Sequence, residues 1–220
     1  MRKLFCRLCI PIFIGLILYV NYTYTIVTVQ KSNQPEKLLG VIDGGLSHPH
    51  NNVVNQVILS KKYDNQHGDM ILYFIEKYDK KISIAYYNAE SNNKITTKSI
   101  IEGLNWMLDN RISRVCISMS TSFYSEELQN WINEHSKAIE IYASYNNLEN
   151  TLDYPAQYNN VIGMGVNSQA NYKPSDIIYK SNKILLIGRG LHIYKGNSYL
   201  APMQMIIAER GGLQLWNESE

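Results

Sequence analysis

The feature that most restricts what this chain can fold into is an alternation. Short apolar runs bounded by turn residues take turns with stretches of roughly a dozen residues that carry apolar side chains at helical spacing. Residues 38–42 are the first run, ending in Asp43-Gly44-Gly45, where a buried strand turns sharply. Residues 99–110 repeat Ile100, Ile101, Leu104, Met107 and Leu108 along a helical face, with Ser99 placed as the N-cap. Residues 115–119 read as a strand, 126–136 as a helix carrying Leu128, Trp131 and Ile132, and 138–143 as the next strand. Residues 161–166 and 184–187 add two more strands. The last segment, 198–210, is a mostly apolar helix that tolerates Pro202 in its first turns. This order predicts parallel βαβ units: an α/β fold with a doubly wound, mostly parallel sheet, helices on both faces, and sites outside the carboxyl ends of the strands.

With 220 residues, 45% of them hydrophobic and 18% charged, there is material for one globular domain and no case for disorder. From Cys9 to Gln30 no residue is charged, a run of 22 that predicts one membrane span. An export signal centred on residues 10–20 competes with that reading, although no small-x-small cleavage site favours it. Arg2, Lys3 and Arg7 before the run, against Lys31 alone just after it, predict a cytoplasmic basic segment 1–8, a signal-anchor 9–30 and an outward-facing domain 31–220. The expected location is therefore the cell membrane, single-pass, or the exterior if the segment is cleaved. Without the three N-terminal arginine and lysine residues the chain has 18 basic against 19 acidic residues, which removes the electrostatic argument for nucleic acid. Cys116 is the one cysteine of the outer domain, so no internal disulfide is expected there. Cys6 and Cys9 have the spacing of a metal or redox pair but lack a second pair.

Three kinds of chemistry compete in the residues themselves. Asp43, His48 and His50 are close in sequence and offer a carboxylate and two imidazoles to a metal, but they lie in a Gly/Pro loop without helical pairing or a distant partner motif. Gly188-Arg189-Gly190 follows a strand as phosphate loops do, yet residues 191–194 look extended where a helix is needed. Asp43 at a strand end, His67 and Ser198 form the third set. A hydroxyl becomes a nucleophile when an imidazole takes its proton, and that imidazole needs a carboxylate to fix its tautomer. Spacing alone does not select this set, because many chain-ordered Asp, His and Ser trios exist in any sequence of this length.

Longer stretches decide. Val41-Ile42-Asp43-Gly44-Gly45-Leu46-Ser47-His48-Pro49 resembles V-I-D-(S/T)-G-I followed by H-P, and His67-Gly68-Asp69 resembles the opening of H-G-T-H-V-A-G, with Asp69 at the threonine. Residues 100–106 and 115–120 resemble an I-I-x-G-I-x-W-A helix and a V-I-N-M-S strand. Residues 136–146 align without a gap to S-G-V-V-V-V-A-A-A-G-N, with Tyr145 at the glycine, and residues 154–166 follow Y-P-A-x-Y-x-x-V-I-x-V-G-A. Gly196-Asn197-Ser198-Tyr199-Leu200-Ala201-Pro202 sits where G-T-S-M-A-(S/T)-P is expected. Together these motifs, spread over most of residues 39–208, resemble the subtilisin-like serine peptidases.

The resemblance implies Asp43 as the acid, His67 as the general base, Ser198 as the nucleophile and Asn146 as an oxyanion donor. It assigns Met119, Ser120 and Thr121 to substrate binding. The implied activity is a serine endopeptidase acting on a peptide or protein substrate, in limited processing of a peptide or leader near the membrane. The rival is a catalytically inactive peptide-binding protein on the same fold, of an immunity or receptor kind. No cofactor is needed for the chemistry. Structural calcium occurs in the family, but no ligand loop is identified here, and a separate folding chaperone or partner chain is expected if folding needs help.

Overall fold

The structure, a computed structural model, describes residues 16, 19, 23–28, 38–57, 66–92, 94–147, 153–166, 172–188 and 190–211. In chain order the elements are β1 (Thr25–Thr28), β2 (Leu38–Asp43), β3 (Val53–Val57), α1 (His67–Tyr78), β4 (Ser83–Asn88), β5 (Glu90–Ser91), β6 (Lys94–Ile95) and α2 (Thr97–Asp109). They continue with β7 (Arg114–Ile117), α3 (Glu126–His135), β8 (Glu140–Ser144), β9 (Val161–Val166), β10 (Ile177–Tyr179), β11 (Lys183–Gly188) and β12 (Gly190–Lys195). A 3-10 turn, Asn197–Tyr199, leads into α4 (Leu200–Glu209).

Seven strands form one parallel sheet in the order β10-β9-β8-β7-β2-β4-β3. Side chains alternate across it as a period of two requires. Leu39, Val41, Ile84, Tyr86, Cys116 and Tyr142 face the cluster that contains α1 and α4. Ile42, Ala85, Tyr87, Val115, Ile117 and Ile141 face the cluster that contains α2 and α3. Both faces are thus covered, which is why the strands read as continuous apolar runs and not as alternating ones. From β2 the chain first builds β4 and β3 on one side and later β7 to β10 on the other. The order reverses between β2 and β7, and a crevice opens there beyond the carboxyl ends.

Several expectations are refined. The helix expected from Ser99 begins at Thr97: Thr96 caps it, accepting from the Ser99 amide at 3.1 Å, and Ser99 Oγ accepts from the Thr96 amide at 3.0 Å. Ser99 is the third residue of a capping box, a reciprocal pair that satisfies two otherwise orphaned amides. The run 184–187 is a strand, but its partners are β1, parallel, and β12, antiparallel, in a separate three-stranded sheet. β1 uses the end of the span expected at 9–30, since the β-branched Thr25-Ile26-Val27-Thr28 favours extended backbone. The rest of that span, except Leu16, Tyr19, Thr23 and Tyr24, lies outside the described residues, as do Cys6 and Cys9. Among the described residues no helix is long and apolar enough to cross a membrane.

Candidate active site

Asp43 is the last residue of β2 and is buried, at 1% exposure. Its Oδ1 accepts the Gly44 amide at 2.7 Å, and its two oxygens lie 2.8 and 3.0 Å from His67 Nδ1. A carboxylate accepts only, so Nδ1 carries the proton and Nε2 is left with its lone pair. Burial pulls the His67 pKa down, but the hydrogen bond and charge of Asp43 outweigh it and hold the imidazole above its ordinary value.

His67 opens α1, and the start of that helix is set by close packing. A Cβ at Gly68 would collide with the Tyr86 hydroxyl and come within 3.1 Å of the Gly44 carbonyl oxygen. Tyr86 OH donates to that same carbonyl at 2.5 Å. The loop after Asp43 is held by two carboxylates: Glu90 accepts the Gly45 amide at 2.8 Å, and Asp69 accepts the Ser47 amide at 2.8 Å. The amides of Gly44 and Gly45, both buried, are thereby satisfied, as a loop beneath a cleft requires.

Ser198 is placed by a turn that only glycine allows. Gly196 has φ of +133°, and the 3-10 turn that follows presents Ser198 ahead of α4. This turn is bound to the end of β8. Asn197 N donates to Asn147 Oδ1 at 2.8 Å, Asn197 Nδ2 to the Asn146 carbonyl at 2.6 Å, and Ser144 Oγ to the Asn197 carbonyl at 2.9 Å. Asn146 is oriented from its other side by buried Asp153, which accepts both its backbone amide, at 3.1 Å, and its side-chain Nδ2.

These elements enclose a cavity of about 230 Å³. Asp43, His67, Ser198 and Asn146 all line it, as do Met119 and Ser120. Thr121 is not in the lining. Its backbone N–H and C=O are exchanged with Tyr154 at 2.8 Å each, so they are committed within the protein. Tyr145, at the expected glycine, also lines the cavity, and its hydroxyl donates to Asp176 at 2.6 Å. Cys116 lies on the strand beneath; burial pushes its thiol far above the usual range, so it stays protonated.

The contacts of Asn197, Asp153 and Glu90 were not anticipated from sequence. Asn197 stood beside the recognised serine, whereas nothing local marks Asp153 or Glu90. The proposed metal trio is also rearranged. Asp43 is committed to His67, and His48 and His50 gather instead on Asp69, their ligand atoms within 4.8 Å of one another. This is the single such cluster of three among the described residues, and its two imidazoles do not suit calcium, which takes oxygen ligands. Gly188 and Gly190 pair across the β11–β12 turn; no helix follows, so the phosphate-loop reading has no support there.

Comparison with known proteins agrees with this architecture. A profile of the subtilase family matches residues 63–187, more than half of the chain, a stretch holding His67 and Asn146 but not Asp43 or Ser198. Among solved structures the chain is similar to a cold-adapted subtilisin-like serine proteinase, with TM-score 0.60 and 15% identity over 84% of this chain and 84% of that one. It is similar also to the prenylagaramide maturation protease PagA, with TM-score 0.59 and 14% identity over 81% and 78%. A lanthipeptide protease gives 0.55 and 15% over 76% and 70%. No curated protein matches. At such identities the structures speak for the fold, and the profile speaks for descent: this chain belongs to the subtilase family.

Proposed function

We propose that the chain is a serine endopeptidase. The observation that carries the reading is the Asp43–His67 pair, with Nδ1 at 2.8 Å from the buried carboxylate, in one cavity with Ser198 and Asn146. Ser198 Oγ attacks a peptide carbonyl carbon while its proton passes to His67 Nε2. Asp43 keeps the tautomer and stabilises the imidazolium. The oxyanion takes hydrogen bonds from the Asn146 amide and the Ser198 N–H. Asn146 Nδ2 carries two hydrogens, and its bond to Asp153 restricts how the amide can turn. Collapse expels the amine, protonated by His67, and leaves an acyl-enzyme that water hydrolyses with His67 as base. Met119 and Ser120 border the path of an extended substrate. No step requires calcium.

The substrate class we infer is a peptide or leader cut at a limited number of positions, in keeping with the maturation and lanthipeptide proteases that share the fold. We also place the domain outside the cytoplasm. Because β1 begins at Thr25, 16 uncharged residues from Cys9 to Tyr24 remain for hydrocarbon. As a helix they reach about 24 Å, short of a core of about 30 Å, which suits an export signal better than a retained span. N-terminal sequencing of the exported protein tests this: a mature terminus just before β1 is expected, and an intact Met1 in the membrane fraction contradicts it.

Turnover is tested with the full chain on a peptide library read by mass spectrometry. A few defined cleavages, absent in Ser198→Ala, are expected. Rapid general degradation of unfolded proteins contradicts limited processing, and equal cleavage by Ser198→Ala contradicts the enzyme reading itself.

A further inference from the structure

We propose that the chain binds one divalent transition-metal ion of the zinc type between His48, His50 and Asp69, and that the ion fastens the loop after Asp43 to the first turn of α1. The carboxylate is shared by both rings: His50 Nε2 lies 2.9 Å and His48 Nδ1 3.3 Å from Asp69 Oδ1. Ligand atoms at about 2.0–2.1 Å from a tetrahedral ion stand about 3.3 Å apart, so small movements accommodate one. The rings are already neighbours, with centroids 4.5 Å apart.

The surroundings are those of a built site. The His50 side chain is 1% exposed and Asp69 9%, while His48 is 58% exposed, which leaves a solvent path and room for a fourth ligand. Asp69 is held by its other oxygen, which accepts the Ser47 amide. Behind His50, Glu76 Oε1 lies 3.6 Å from Nδ1 and is itself fixed by the Asn51 amide at 3.0 Å. Metal-bound histidines characteristically direct the other ring nitrogen at a carboxylate. On binding, His50 gives up any proton on Nε2 and carries its one proton on Nδ1, toward Glu76. Ser47 Oγ, 3.0 Å from His48 Nδ1, turns away to release that nitrogen. Two nitrogens and one carboxylate select zinc-like ions over calcium or magnesium.

The test uses the full chain, stripped with a chelator, titrated with Co2+ and then challenged with Zn2+. Binding is read from the visible absorption of four-coordinate cobalt and by metal analysis after gel filtration, so it does not depend on proteolysis. One equivalent is expected, displaced by Zn2+. His48→Ala, at an exposed position that should not disturb folding, and Asp69→Asn should each weaken binding at least about tenfold; Glu76→Gln should weaken it about tenfold as an outer partner. His192→Ala, outside the cluster, should bind as the native chain does. Absence of a stoichiometric cobalt spectrum in the native chain, or unchanged binding in either His48→Ala or Asp69→Asn, overturns the proposal.

Discussion

At the scale of single residues, the chemistry depends on what holds each reacting group. Asp43 raises the affinity of His67 for a proton, and the neutral ring is the base, so kcat/KM should rise with pH along a limb centred above the ordinary 6.5. In Asp43→Asn the raising contribution is lost while burial, which favours the neutral ring, remains. The limb should therefore move to lower pH, and kcat should fall by about 10⁴. A pH-rate series on both proteins checks this, and a limb at the same pH in both speaks against the pair. Asn146→Ala should lower kcat by about 10²–10³, the loss that removal of one such donor causes in a subtilisin. Asp153→Asn should lower kcat with little change in KM, because it disturbs the orientation of that amide and not the binding surface. That Asp43, His67, Ser198 and Asn146 come together in one cavity was legible, because each sits in a motif several residues long. Asp153 was not. Its role is created by the return of the chain from β8 to Tyr154, and no local pattern encodes which carboxylate will end up behind an amide.

At the scale of elements, position depends on where helices start. Gly68→Ala places a methyl against the Tyr86 hydroxyl and the Gly44 carbonyl, an overpacking that should cost about 1–3 kcal/mol and displace His67. Because the hydroxyl is the nearer obstacle, Gly68→Ala with Tyr86→Phe should recover part of the thermal midpoint, whereas a clash confined to the backbone would leave the double variant no better. α2 depends on its cap, and Thr96→Ala should cost about 1 kcal/mol by denaturant unfolding. α2, α3 and α4 and the strands β2, β7, β8, β9 and β11 were readable from their apolar patterns, since α2 and α3 show a clean apolar stripe, whereas α1 was met only through the motif that opens it and β3 and β10 were not read. β4 was not anticipated: Ser-Ile-Ala-Tyr-Tyr-Asn mixes small and tyrosyl residues, and its strand identity comes from being paired on both sides by β2 and β3. The run 184–187 was read as a strand without its partners, because an apolar run specifies burial and not the neighbour that provides it.

At the scale of the whole molecule, the chain lacks an internal disulfide among its described residues and relies on packing, with tyrosines doing unusual service in its interior. Tyr86, Tyr142, Tyr145 and Tyr158 are among the largest fully buried side chains. Their hydroxyls tie elements together: Tyr158 accepts from the Ser125 amide ahead of α3, and Tyr179 on β10 donates to buried Gln204 on α4 at 2.6 Å. Tyr179→Phe leaves the Gln204 oxygen without that donor and should cost about 1–3 kcal/mol in urea unfolding, more than removal of an exposed hydroxyl would. The doubly wound sheet, with its crevice where strand order reverses, brings Asp43 from β2, His67 from α1, Asn146 beyond β8 and Ser198 before α4 to one cavity. If this assembly makes Ser198 a nucleophile, exposure of the full chain to a fluorophosphonate, read by intact-mass spectrometry, should give one adduct per chain, abolished in Ser198→Ala and in His67→Ala. Absence of labelling in the folded protein, or an adduct that persists in Ser198→Ala, would contradict that role.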